Sequence, residues 1–133
     1  MAFGTLAFDT LQTSDSANTA TSKTLDTSYV YNGSAKVWIN FNGTSTIAIR
    51  DSFNVTSITD GGTGLYTVTI ANNMSNDDYS TTGAAGEEDD SGGNRSLGLR
   101  ARTAGSQNLR GFRDGVSADD MAEMHIHIMG DLA

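Results

Sequence analysis

Between Val37 and Ile70 large apolar residues fall at alternate positions, and turn residues cut the alternation into short runs. Val37, Ile39 and Phe41 alternate with polar or amphipathic neighbours up to Asn42-Gly43. Ile47 and Ile49 follow and are interrupted by Arg50-Asp51-Ser52, after which Phe53, Val55 and Ser57 lead to Asp60-Gly61-Gly62. Tyr66, Val68 and Ile70 close the series and face away from Leu65, Thr67 and Thr69. Successive side chains of a strand point to opposite faces, so the pattern predicts a succession of half-buried strands across Trp38 to Tyr79. Asn-Gly and Asp-Gly tolerate the backbone of tight hairpins, which makes the predicted pairing antiparallel.

The flanks extend this sheet system. Gly4 to Leu11 carries Leu6, Phe8 and Leu11 at spacings that suit a first strand or an extended arm. Gln12 to Asp26 is Ser, Thr, Ala, Asp and Asn with Leu25 as its one large apolar residue, a linker or long surface loop. The expected division is therefore an arm and linker over residues 1–26 and a β domain over 27–133. Thr27 to Tyr31 reads as a short strand that hairpins through Asn32-Gly33 into Lys36–Phe41. Ser80 to Gly86 is expected to carry no element and to fade into an exposed acidic loop ending at Asn94. Arg95–Arg102 sets Leu97, Leu99 and Ala101 against Ser96, Gly98, Arg100 and Arg102, and Gln107–Arg113 sets Leu109 against Asn108, Arg110 and Phe112. Gly115 to Asp120 reads as a turn, Ala118–Met124 as at most a helical turn, and Met121–Met129 as the last strand. The sum is an all-β antiparallel domain of about nine or ten strands, a β-sandwich or jelly-roll-like arrangement.

The stretch WINFNGTSTIAIRDSFNVTSITDGGTGLYTVTI resembles a segment of virion structural proteins of tailed, often marine, bacteriophages, many described as tail-fibre-like. The resemblance rests on Trp-Ile-Asn-Phe-Asn-Gly, Ala-Ile-Arg, Phe-Asn-Val, Ser-Ile-Thr-Asp and Gly-Leu-Tyr-Thr-Val, and more loosely on the closing Ile126-His127-Ile128-Met129-Gly130-Asp131. It is close from Lys36 to Tyr79. It implies a component of a particle rather than a particular chemistry.

Charge narrows the partners. A formal net charge of −8 and an isoelectric point near 4.4 disfavour nucleic acid, whose phosphates need a basic face, and suit an exposed particle surface. The chain has no cysteine, so disulfides and thiolate chemistry play no part, and no proline, so its turns fall to Gly, Asn and Asp. The start, MAFGTLAFDTLQTS, lacks a basic region followed by a continuous apolar run, and we expect neither a signal peptide nor membrane insertion.

Four groups of residues are candidates for chemistry or binding. Glu123, His125 and His127 share one strand face, and paired imidazoles two residues apart can serve a transition metal; a polar outer face is the plainer use of the same spacing. The acidic run Glu87–Asp90 has the oxygen donors calcium prefers but no EF-hand spacing, and a solvated loop explains it equally. No cofactor is expected beyond these metal options. Arg95, Arg100, Arg102, Arg110 and Arg113 gather most of the positive charge, with Arg100, Arg102 and Arg110 placed opposite the core positions. They fit subunit contacts, a carboxylate or glycan ligand, or ordinary surface ion pairs. Trp38, lying opposite Val37, Ile39 and Phe41, suits a second buried face or a subunit contact, and with Tyr29, Tyr31, Tyr66, Tyr79 and Phe112 it offers aromatic area for a sugar.

Nucleophile-elbow, phosphate-loop and dinucleotide motifs are missing, and no carboxylate pair stands out as a glycosidase dyad. The expectation is a non-enzymatic virion structural protein, a homotrimer located at the tail or outer capsid surface. A tail-fibre or adhesin-type module would touch a host glycan or receptor through Asp60–Gly64, Ala84–Asn94 and Asp114–Asp120. The alternative is a capsid decoration protein that grips other virion proteins, favoured by the small size of the single domain.

Overall fold

The computed structural model describes residues 10–12, 24–87 and 93–133. The chain divides into two compact units, Met1–Ser34 and Ala35–Ala133. In the first, β1 (Thr10–Gln12) pairs antiparallel with β2 (Thr24–Asp26), and α1 (Thr27–Gly33) follows. The rest of the predicted arm and linker, residues 1–9 and 13–23, lies outside the described residues.

Helix α1 corrects the strand expected over Thr27–Tyr31. Asp26 holds an extended N-cap conformation, and its carboxylate accepts a 2.8 Å hydrogen bond from the Ser28 amide. That bond satisfies an amide that would otherwise be orphaned at the helix start, and it also lowers the Asp26 pKa. The local cap overrides the β preference of Tyr29, Val30 and Tyr31, all three of which are exposed. Asn32-Gly33 ends the helix instead of turning a hairpin.

In Ala35–Ala133 the described strands are β3 (Val37–Asn42), β4 (Ala48–Phe53), β5 (Val55–Asp60), β6 (Leu65–Ile70), β7 (Ser80–Gly86), β8 (Arg95–Thr103), β9 (Ser106–Arg113), β10 (Ser117–Ala118) and β11 (Glu123–Met129). All pair antiparallel. One sheet runs β4-β3-β11-β7; in the other, β9 lies between β6 and β8, with β5 beyond β6. Arg113 and Phe112 pair with Arg95 and Ser96 of β8 and also with Ser117 and Ala118 of β10. β10 therefore continues the β6 side of β9. Among the described residues no helix is long and apolar enough to cross a membrane.

The two sheets share one buried cluster. Val37, Ile39, Phe41, Met124, Ile126 and Ile128 come from the first sheet, and Tyr66, Val68, Ile70 and Leu109 from the second. Each such side chain contributes about 1.5–3 kcal/mol by leaving water, and Phe41 adds an edge-to-face contact with Tyr66 at 5.2 Å. The β3 and β6 patterns bury every second residue, as the alternation predicts.

Three further stretches differ from expectation. β4 runs through Arg50-Asp51-Ser52, with a register shift opposite Asn40 and Phe41, and breaks only at Asn54. Asn54 has φ of 58° and carries the chain from the first sheet to the second, and its side-chain Nδ2 donates to both the Lys36 and Asn72 carbonyls at 3.1 Å. β7, where no element was expected, pairs with β11 over its whole length. Gly83 is required by packing: a Cβ there would collide with Leu97 of β8 and with the β11 backbone. No helical turn forms over Ala118–Met124; β10 ends at Ala118, and Met121 packs into the core ahead of β11.

Candidate functional site

Three loops expected to make contacts meet at one end of the β domain. The Asp114 amide donates to Asn94 O at 2.7 Å, and its carboxylate accepts from the Asn94 amide at 3.2 Å. These bonds join the base of the acidic loop to the β9–β10 turn. Gly64 donates to Asp120 Oδ1 at 2.7 Å and accepts from Gly111 at 2.8 Å, joining the β5–β6 hairpin to the β10–β11 connection. The Tyr66 hydroxyl completes the end, 2.9 Å from Gly43 O and 3.0 Å from Asp120 Oδ1. Burial, reinforced by the Asp120 carboxylate, pushes the Tyr66 pKa well above its ordinary value. The chain enters this domain at the other end: β3 starts at Val37 beside Ile128 and runs towards Asn42 and the loop cluster.

The arginines do not form one patch. Arg95 is nearly buried and its Nε lies 2.7 Å from Glu87 Oε1. This contact withdraws one carboxylate from the candidate calcium run, the remainder of which, positions 88–90, lies outside the described residues. Arg113 Nε lies 2.8 Å from Asp119 Oδ2, and the Arg110 guanidinium stacks on Phe112 at 5.0 Å. Arg102 departs from its predicted face. A bulge between Leu99 and Arg102 pairs Arg102 with buried Gln107, so it turns to the core side, donates to Asp77 O and lies 5.4 Å from the Tyr79 ring centroid. Arg100 keeps the outward face, exposed, with no side-chain partner among the described residues.

That bulge opens a groove of about 360 Å³ on the outer face of the second sheet, lined by Gly61, Leu65, Thr67, Arg100, Ala101 and Asn108. Thr67 and Asn108 are cross-strand partners, and their side chains bond at 3.0 Å. Beneath the bulge, fully buried Gln107 donates from Nε2 to Arg100 O at 3.2 Å and accepts from Thr81 of the first sheet at 3.1 Å. Gln107 thus satisfies a carbonyl that the bulge removes from the ladder. Alternation placed Gln107 on the core face, where a polar residue between Ser106 and Leu109 was the available signal for this bridge.

Trp38, His125 and His127 share the outer face of the first sheet. The pairings run Phe53–Trp38–His127–Thr82 in one row and Asp51–Asn40–His125–Ala84 in the next. Phe53 is 55% exposed, which makes the first row a solvent-facing aromatic strip. Glu123 lies on the same face, yet no group of three or more His, Asp or Glu side chains close enough to hold a metal ion occurs among the described residues. Of the other aromatic candidates, Tyr66 and Tyr79 are buried, with the Tyr79 hydroxyl near Thr103 O and Ser106 O, so neither offers a platform.

No family model, curated protein or solved structure matches this chain.

Proposed function

We propose that this protein is a non-enzymatic structural component of a tailed-phage virion. In this reading it is an adhesin-type module of the tail, whose two facing sheets form a β-sandwich in a homotrimer. One observation carries the reading: the chain enters the β domain at one end, and the three candidate contact loops are tied together at the other. A module attached through its N-terminal side then presents a braced loop surface outward. Loops held by a rigid two-sheet scaffold are a recurrent way to build a recognition surface. Three copies would multiply weak contacts through effective concentration. The aromatic row Phe53–Trp38–His127 supplies apolar area for the contact between copies.

The test is gold-labelled antibody on intact particles of the phage that encodes the chain. Label at the tail tip is expected. Label spread over the head would replace the adhesin reading with capsid decoration, and unlabelled particles would overturn the virion reading altogether.

A further inference from the structure

We infer that the groove at the β8 bulge is a binding site for a carboxylate-bearing sugar, with Arg100 as its anion contact. The inference rests on the adhesin reading and names the class of ligand. Among the described residues the Arg100 guanidinium has no partner, whereas every other arginine of the Arg95–Arg113 set is held by a carboxylate, a carbonyl or a ring. Arg100 instead stands at the rim of a groove of small-ligand size. Its planar fork of donors matches a carboxylate in two parallel hydrogen bonds.

The rest of the lining fits a sugar ring better than a bare anion. Thr67 Oγ1 spends its hydrogen on Asn108 Oδ1, which leaves the threonine oxygen able to accept and Asn108 Nδ2 able to donate. A sugar hydroxyl both donates and accepts, so adjacent acceptor and donor groups suit it. Leu65 and Ala101 supply apolar surface for the carbon face of the ring. Asp60, the neighbouring carboxylate, forms no ion pair with Arg100; its Oδ1 accepts from the Gly62 amide at 2.8 Å within its own turn.

The site is also built rather than incidental. A bulge inserts an extra residue on β8, here Arg100 or Ala101 opposite Asn108, and re-aims the side chain beside it. Gln107 anchors that geometry from inside the core by binding the Arg100 carbonyl and the Thr81 hydroxyl. The rim arginine therefore projects from a pinned backbone, which lowers the ordering cost of binding.

The experiment titrates the full chain with methyl β-D-glucuronide, methyl β-D-glucoside and sodium acetate, following amide and arginine side-chain NMR shifts. Saturable shifts at Thr67, Arg100 and Asn108 are expected with the glucuronide. The glucoside and acetate should each bind about tenfold more weakly, since each lacks one half of the recognition. Arg100→Ala should weaken glucuronide binding by about tenfold or more without moving the melting temperature, and Arg100→Lys should fall between. Asn108→Ser should reduce glucuronide and glucoside binding together. Equal shifts with acetate and glucuronide, shifts confined to other surfaces, no saturable shift, or undiminished binding by Arg100→Ala would each overturn the assignment. Particle labelling decides the adhesin reading separately, so a groove that fails to bind on tail-located protein refutes the ligand alone.

Discussion

Removing the Tyr66 hydroxyl tests whether the loop end of the domain is braced from the core. The ring is buried, and the hydroxyl lies 2.9 Å from Gly43 O and 3.0 Å from Asp120 Oδ1. Tyr66→Phe keeps the ring and its contact with Phe41 but removes the one hydroxyl proton that Gly43 O and Asp120 Oδ1 share; Asp120 Oδ1 keeps the Gly64 amide, and the Gly43 carbonyl is left short of a donor. Hydrogen bonds to charged acceptors contribute about 1.5–3 kcal/mol, and an orphaned buried acceptor costs a similar amount, so the expected loss is about 2–3 kcal/mol. For a domain near 100 residues this lowers the melting temperature by about 8–16 °C. Urea titration should show a lower midpoint at an unchanged slope, because the exposed area does not alter. pH gives a second readout with a definite sign. The Tyr66 pKa is raised in the folded state, so the folded protein holds its phenolic proton where the unfolded chain has lost it. Its contribution is complete below about pH 10, the ordinary tyrosine value, and is lost as pH rises through the raised folded value. Tyr66→Phe should therefore flatten the alkaline fall in stability. A loss below about 0.5 kcal/mol, typical of a surface change, with an unaltered alkaline limb would refute the brace.

Other perturbations probe separate joints. Asn54→Ala removes the side-chain bonds to Lys36 O, Asn72 O and the Asn72 amide and places alanine at φ of 58°, so a loss of about 2–4 kcal/mol is expected; Asn54→Gly should recover only the backbone part, about 1 kcal/mol, by chemical denaturation. Gly43→Ala would set its Cβ 2.5 Å from the Tyr66 hydroxyl oxygen, and calorimetry should record a loss above about 2 kcal/mol. Glu87→Gln leaves the nearly buried Arg95 without its carboxylate, costing about 1–3 kcal/mol, and salt titration should show little screening of the parent pair. Trp38→Ser with Phe53→Ser should shift light-scattering mass from trimer to monomer; a monomeric parent, or an unchanged trimer, would refute the outer face of the first sheet as the subunit contact.

Alternation along β3, β6, β9 and β11 was enough to assign their inward faces, because a strand whose one face is buried cannot place polar residues there cheaply. Asn42-Gly43 and Asp60-Gly61-Gly62 likewise marked true reversals, since their side chains and φ freedom act locally: Asn42 Oδ1 accepts from the Thr44 amide and Asp60 Oδ1 from the Gly62 amide. The same local information named Arg100, Trp38 and the three contact loops as residues of interest. Apart from α1, which a local cap at Asp26 decides, what alternation misread was set by partners distant in the chain. β7 carries glycine at position 83 because Leu97 and the β11 backbone pack against it, a demand invisible in Ser80–Gly86 itself. The outward face expected for Arg102 failed because one bulge shifts the register, and a one-residue shift reverses every side chain beyond it. Sequence by itself determined the inward faces of β3, β6, β9 and β11 and the reversals at Asn42-Gly43 and Asp60-Gly61-Gly62, all properties of neighbours along the backbone. Tertiary structure alone decided which arginine lacks a partner among the described residues and that Arg100, Thr67 and Asn108 share one groove, because those depend on long-range pairing and on the space each partner leaves.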